Sequence, residues 1–369
     1  MRQKKSVIGF GIIVLAYTTY LVTIMSLFAG YINPKIWWPV SLAGLGFIVI
    51  YPLNFVWFFY YLFRKNRQVF SSIAILVIGW PLFLKYVNIS KSNQAVQLTD
   101  SIRIMSFNAR LFDLYNWSHN VETKKKIFDF LAQHPQDVYC FQEYYTENSG
   151  KFDNTTALKN KLNMRFVHTF FTTHTMGNTR HWGLAIFSKY PIVNTGVIDI
   201  GITTTNACTF ADIVKGKDTI RIYNAHLESV RLKKQDYNYV DNIRKNVESN
   251  NFSGVTPILK RIKTAFTKRA VETDIIKQHL ADCKLPIVFC GDFNDPPSSY
   301  TYNQITENLN DAFKSGPVGL GSTYNGVFPA LRIDYILYSP LLKASNFVTH
   351  KVNLSDHFPV ATTIHLNNE

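Results

Sequence analysis

Residues 286–294 read Pro-Ile-Val-Phe-Cys-Gly-Asp-Phe-Asn. A short apolar run, rich in β-branched and aromatic side chains, stops at a glycine and gives way to Asp292 and Asn294. Such a run reads as a buried strand, and its abrupt end leaves a carboxylate and an amide at the strand exit. The same signature recurs in both directions along the chain, at residues 102–107, 138–141, 183–187, 219–225 and 333–337. Residues 124–132 and 268–280 instead carry apolar side chains at helical spacing: Ile127, Phe130 and Leu131 in the first, Val271, Ile275, Ile276 and Leu280 in the second. This alternation predicts an α/β fold in which strands predominate.

Further upstream the composition changes. Residues 1–90 contain no Asp or Glu, and all 25 acidic residues of the 369-residue chain lie from Asp100 onward. Residues 6–32, 36–63 and 68–84 carry no charged side chain. A helix needs roughly 20 apolar residues to cross a bilayer, so residues 1–90 read as a membrane anchor of about three transmembrane helices, 6–32, 36–63 and 68–87. The first segment is too long for a signal peptide, whose apolar core runs about 7–15 residues. Arg2, Lys4 and Lys5 precede the first span, and Arg64, Lys65 and Arg67 separate the second from the third. The positive-inside rule puts both clusters in the cytoplasm and everything after the anchor on the non-cytoplasmic side. Pro81 and the short third span keep a re-entrant element open, with the opposite sidedness. No ionisable residue lies mid-span, which argues against a transporter.

The formal charge of +14 divides along the same line. Eight of the 39 Lys and Arg residues lie in the anchor, so residues 91–369 hold 31 against 25 acids, a balance of +6. Residues 91–99 read as a polar linker and 100–369 as one soluble domain. Residues 228–263 gather Arg231, Lys233, Lys234, Arg244, Lys245, Lys260, Arg261 and Lys263. The plainer reading is a solvated surface excursion; the sharper is a basic arm that attracts a polyanion. Four cysteines without a CxxC pair exclude a disulfide scaffold and a zinc finger. Cys140 and Cys290 lie inside apolar runs and read as buried small hydrophobes.

Polar residues collect at the strand ends, where open α/β sheets place their ligands. Asn108 follows the first strand, Gln142 and Glu143 the second, His226 a later one, Asp292 and Asn294 another; Asp334, Asp356 and His357 complete the set. Glu143, Asp292 and Asp356 supply hard oxygen ligands suited to Mg²⁺, and the thiolate or multiple-histidine set expected for zinc is missing. His226, and His357 with Asp334, can neutralise a phosphoryl oxygen as charge builds in a transition state. Asn108 and Asn294 orient without titrating. An oxygen-bound metal, a carboxylate base and imidazole donors together suit attack of water on phosphorus.

In chain order, SFN, FQE, NAHL, GDFN, RIDY and SDHFP resemble the endonuclease/exonuclease/phosphatase superfamily, the DNase-like proteins, from about residue 102 to 364. The resemblance implies a four-layer α/β sandwich, two mixed sheets face to face with helices outside, here preceded by an N-terminal transmembrane helical segment. It implies Mg²⁺ as cofactor, with Mn²⁺ as a substitute, and no covalent intermediate. By the same resemblance Glu143 is the principal metal ligand, with Asn108 beside it and Asp356 near the ion. Asp292 orients or deprotonates the attacking water, and Asn294 holds the phosphate. His357, polarised by Asp334, contacts the phosphate, and His226 does so from the opposite side. Tyr145 stands where DNase-type members often carry arginine, and Asp295-Pro296-Pro297 does not supply the longer basic signature of the inositol polyphosphate 5-phosphatases. Arg180 is a candidate substrate contact, set against a plain surface turn.

The expected function is a membrane-anchored, Mg²⁺-dependent phosphodiesterase, with a nuclease as the first reading. A phospholipid or sphingomyelin-type phosphodiesterase or phosphatase is the alternative, and a catalytically silent binding module the remote one. The expected partners are a phosphodiester substrate, nucleic acid or lipid headgroup, and the bilayer through residues 1–90. No obligatory protein partner is inferred.

Overall fold

The acid-free segment folds into three packed helices, α1 (Arg2–Phe28), α2 (Pro34–Phe63) and α3 (Val69–Leu84), in the computed structural model. The structure describes residues 2–89, 100–175, 177–201, 206–231, 235–236, 239, 254–326 and 331–366. Among these, two helical stretches are long and apolar enough to cross a membrane, Phe10–Phe28 and Pro34–Phe63. The expected span 6–32 ends earlier, at Phe28. The expected third span, 68–87, is corrected to a 16-residue helix, because the chain turns at Lys85 and Tyr86 and enters strand β1 (Val87–Asn88). Tyr86 is buried there against the domain that follows.

Small and polar side chains join the three helices. Asn54 Nδ2 donates to Thr23 Oγ1 at 2.9 Å, Ser26 Oγ to the Ala43 carbonyl at 2.8 Å, and Tyr20 and Ser72 share a 2.6 Å hydrogen bond. Gly79 lies against the Tyr51 ring, where a Cβ would come within 2.3 Å of a ring carbon.

Two six-stranded sheets follow. The first is built from β2 (Ser101–Asn108), β3 (Val138–Glu147), β4 (Phe166–Thr175) and β5 (Arg180–Ser188), closed later by β13 (Lys343–Thr349) and β14 (Val360–His365), in the order β13-β14-β2-β3-β5-β4. The second holds β6 (Ile192–Ile198), β7 (Ala207–Lys215), β8 (Asp218–His226), β9 (Ile287–Asp292), β10 (Asn310–Asp311) and β12 (Asp334–Tyr338), in the order β10-β12-β9-β8-β7-β6. Each sheet centres on one parallel pair, β2 with β3 and β8 with β9.

The central strands are rich in apolar residues because both faces are largely buried. In β2, Ile102 and Ile104 face the opposing sheet, while Met105 and Phe107 pack beneath α4 (Thr123–Gln133) and α5 (Asn154–Leu162). In β9, Val288 and Cys290 point inward, and Ile287 and Phe289 pack outward toward α6 (Val255–Asp282) and α7 (Tyr300–Ile305). Three apolar layers between helix, sheet, sheet and helix make the four-layer sandwich. Cys140 and Cys290 are fully buried in its centre.

All six expected strands and both expected helices are present. Helix α6 starts at Val255, so residues 255–263 belong to it and not to a surface excursion. Residues 91–99 and most of 232–253, including Lys233, Lys234, Arg244 and Lys245, lie outside the described residues.

The helical bundle is docked on the second sheet's side of the sandwich. Asn33 Nδ2 donates to Asp274 on α6 at 3.2 Å, and β1 pairs antiparallel with β11 (Gly319–Leu320). Asn88 Nδ2 donates to the Gly316 carbonyl at 2.6 Å. These contacts come from one end of the bundle, the end opposite Arg2 and the 64–67 turn.

Candidate active site

In the register of the parallel pairs, Asn108 stands beside Gln142 and His226 beside Asp292. The carboxyl ends of both central pairs therefore open at one edge of the sandwich, as strand topology dictates for α/β ligand sites. A buried polar lattice joins the sheets just below. Gln142 Nε2 donates to Asn224 Oδ1 at 2.7 Å, and Asn224 Nδ2 donates to the Phe141 and Ala185 carbonyls at 3.0 and 3.1 Å.

Asp292 is the meeting point. Its carboxylate is fully buried, accepting from Asn108 Nδ2 across the two sheets at 2.9 Å and from the Asn294 backbone N–H at 2.9 Å. His226 Nε2 lies 3.7 Å from Asp292 Oδ2 and 3.8 Å from Glu143 Oε1, and His357 Nδ1 lies 3.6 Å from Asp292 Oδ2. Among the described residues, His226 Nδ1 is buried without a hydrogen-bond partner.

His357 and Asp334 form a buried pair, with Nδ1 at 3.1 and 3.0 Å from the two carboxylate oxygens. Burial pushes the Asp334 carboxyl up, against the opposing charge of His357. Burial alone would lower His357, but the charges of Asp334 and Asp292 outweigh it and hold the imidazolium well above the usual histidine range. The proton therefore stays on the ring. Thr323 Oγ1 accepts the backbone N–H groups of both Ile333 and Asp334, at 3.0 and 3.1 Å, which fixes the carboxylate from behind.

Three residues of the site hold left-handed backbone, Arg110 (φ 44°), Glu143 (φ 44°) and Asn294 (φ 51°). Non-glycine residues in this region cost of order 1–3 kcal/mol each and persist where surrounding structure enforces them. Glu143 sits in a bulge of β3 between Phe141 and Tyr144, which turns its side chain out of the strand alternation toward His226. Arg110 begins a left-handed turn through Asp113, pinned by fully buried Phe112. Arg110 Nε thereby lies 3.4 Å from Asp356, with its guanidinium 4.9 Å from the Trp117 ring centre.

The donor set fits a hard divalent cation. Glu143, Asp292, Asp334 and Asp356 face one guanidinium and one imidazolium, leaving a surplus of negative charge. Ligand atoms of Asp292, Asp334 and His357 lie within 4.8 Å of one another. Within that group His357 Nδ1 is already engaged by Asp334.

The structure thus brings together Asn108, His226, Asp292, Asp334 and His357, with Glu143 beside His226. Asn294 spends one amide hydrogen on the Leu227 carbonyl at 3.0 Å. Asp356 stands at the rim with Arg110. Arg180 stands apart: its Nε pairs with Glu147 at 3.2 Å, four residues beyond Glu143 on β3, roughly 13 Å along the strand. The sequence reading missed Arg110 and Thr323. Arg110 lies two residues past a quoted motif, whereas nothing local marks Thr323.

Two mixed sheets packed face to face between helices make a phosphoesterase-like fold. The chain belongs to the Endonuclease/Exonuclease/phosphatase family, whose sequence profile matches residues 105–357; its members hydrolyse phosphoester bonds. Residues 6–86 match a second family, described as a domain of unknown function. Among solved structures, an endonuclease/exonuclease/phosphatase family protein from Bacteroides thetaiotaomicron aligns with TM-score 0.53 and 16% identity, over 73% of this chain and 98% of that one. A mannosyl-6-phosphatase from the same species gives TM-score 0.51 and 16% identity over 72% and 99%. The human Nocturnin catalytic domain with bound sulfate gives TM-score 0.51 and 18% identity over 73% and 95%. Likeness at these identities concerns the fold. No curated protein matches the chain significantly.

Proposed function

We propose that the chain is a membrane-anchored, divalent-metal-dependent phosphoesterase that cleaves phosphodiesters by direct attack of water. The observation that carries this is the Asp292 carboxylate, buried and held by Asn108 and Asn294 between two histidines. Glu143, Asn108 and Asp356 would hold Mg²⁺, or Mn²⁺ in its place. The chemistry supplied by such a cation is neutralisation of charge on the phosphoryl oxygens.

The chain's own residues do the rest. Asp292, with both oxygens fixed, takes the proton from the attacking water. His357, kept as imidazolium by Asp334, donates from Nε2 to a phosphoryl oxygen as its charge grows. His226 Nε2 approaches from the opposite side, between Glu143 and Asp292, and Asn294 offers its second amide hydrogen to the phosphate.

The first substrate reading is nucleic acid, resting on the +6 balance of residues 91–369. Of the described cations of the basic segment, Arg231 pairs with Glu228 and Arg261 with Asp236, at 3.2 and 3.1 Å, which leaves exposed Lys260 and Lys263 to favour a polyanion. A phospholipid headgroup is the second reading, favoured by the rigid seat of the helical bundle beside the loop that follows Asn294. The basic ends of the helices lie opposite the catalytic domain, which supports a non-cytoplasmic active site under the positive-inside rule.

Full-length protein in nanodiscs with Mg²⁺, offered supercoiled plasmid and phospholipid in parallel, tests both readings. Nicking that vanishes in Asp292→Ala and with chelator supports the nuclease; release of a phosphorylated headgroup with the same controls supports the lipid enzyme. Neither product from folded protein contradicts the diesterase reading.

A further inference from the structure

The last turn of α3 leaves carbonyls without partners inside the helix, as every helix end does. Here the catalytic domain supplies them. Lys314 Nζ donates to the Leu84 carbonyl, and to that of Val87 at 3.0 Å, while Arg332 Nη2 donates to the Lys85 carbonyl at 2.8 Å. Two cations at a helix C-terminus also complement its dipole. Arg332 is 2% exposed, and its other arm pairs with Asp311 at 2.6 Å. Its guanidinium lies 4.5 Å from the Phe313 ring centre and 4.7 Å from that of Tyr335. Two residues later the chain reaches Asp334.

A second contact reaches the other catalytic segment. Ser298, six residues past Asp292, donates from Oγ to the Gly44 carbonyl of α2 at 2.7 Å and shares a 2.6 Å hydrogen bond with Tyr86 OH. Both side chains are buried. A Cβ on Gly44 would come within 2.6 Å of Ala29 Cβ, so the two helices and the loop meet where only glycine fits. Tyr335 OH ties the two segments together, 2.8 Å from the Asp295 carbonyl and 2.7 Å from that of Arg332.

We propose that the docked end of the helical bundle braces two segments that carry active-site residues. Through Lys85 and Arg332 it positions Asp334, and through Gly44, Tyr86 and Ser298 it positions the turn from Asp292 to Asn294. Arg332, Ser298 and Tyr86 are positioning residues, and turnover depends on the bundle staying seated. A bilayer that shifts the bundle end changes turnover without touching the substrate. This inference rests on the reading of Asp292 and Asp334 as catalytic.

The test uses the full chain in phosphatidylcholine nanodiscs with Mg²⁺ and bis(p-nitrophenyl) phosphate as substrate. Tyr86→Phe and Ser298→Ala should each lower kcat about tenfold, the order expected for one buried hydrogen bond, with KM nearly unchanged. The double variant should fall no further than Ser298→Ala alone, because that change already removes the bond that Tyr86→Phe removes. Arg332→Lys, which keeps the charge but cannot serve Lys85 and Asp311 together, should lower kcat more. Wild-type kcat in all of these, at wild-type melting temperature, overturns the proposal. Amide exchange gives a readout separate from hydrolysis: Tyr86→Phe should speed exchange in peptides spanning 292–303 and 332–338 but not 102–141. If wild type and Asp292→Ala are equally inactive, the hydrolase reading fails, and unchanged exchange in those peptides still overturns the docking account.

Discussion

His357 and Asp334 form a buried ion pair, with Nδ1 3.0 Å from Oδ2, and every role given to His357 depends on that carboxylate. Asp334→Asn keeps the shape and removes the charge that holds the ring protonated. We expect kcat to fall by about 10²–10⁴, the usual worth of a general acid–base partner, with KM little changed. Steady-state kinetics on the full chain would show it; kcat within a few-fold of wild type would remove His357 from the mechanism.

The same pair sets a pH dependence of stability. Asp334 and Asp292 raise the His357 pKa in the fold, so folded protein keeps a proton that the unfolded chain releases. That stabilisation is complete below the unfolded histidine value, about 6.5, and is lost as pH rises through the raised value. With chelator present, the melting temperature should therefore decline above pH 6.5, and His357→Asn should flatten the decline. An equal slope in wild type and variant would contradict the assignment.

Metal dependence should show in binding as well as in rate. The carboxylates around Asp292 repel one another until a cation joins them, so Mg²⁺ should raise the melting temperature. Saturation at 100 times Kd corresponds to about 2.7 kcal/mol. Glu143→Gln should shift both the thermal titration and the activity titration to higher Mg²⁺. Identical titrations in wild type and variant would take Glu143 out of the metal site.

Arg269, 1% exposed, bonds Asp295 Oδ1 at 3.0 Å and the Glu228 carbonyl at 2.6 Å. Removing one partner of a buried pair leaves a charge uncompensated, at a cost of about 3–5 kcal/mol. Arg269→Met should lower the unfolding free energy by that order, and adding Asp295→Leu should restore part of it. Chemical denaturation of both variants checks this; an additive double variant would mean that the two charges are uncoupled.

What the sequence disclosed follows from burial. Strand β9 is covered on both faces and reads as an unbroken apolar run with a sharp end, and β2 does so from Ile104 to Phe107 but for buried Ser106, with Arg103 exposed. The residues at those ends, Asn108 and Asp292, gave away the site. Strands β4 and β6 were not legible, since Phe166–Thr175 mixes threonine and histidine into a half-buried surface and Ile192–Ile198 is largely exposed. The basic first turns of α6 hid a helix, because Lys260 and Lys263 lie on its solvent side. Contacts between residues distant in sequence left no local mark. Thr323 behind Asp334, and Ser298 against Gly44, become visible only once the chain is folded.

The central claim is hydrolysis at Asp292, and it is tested most directly by following p-nitrophenol release from bis(p-nitrophenyl) phosphate by the full chain in nanodiscs. Three conditions suffice: wild type with Mg²⁺, wild type with chelator, and Asp292→Ala with Mg²⁺. The account predicts turnover in the first and a loss of several orders of magnitude in the other two. Turnover that survives Asp292→Ala in folded protein would contradict it.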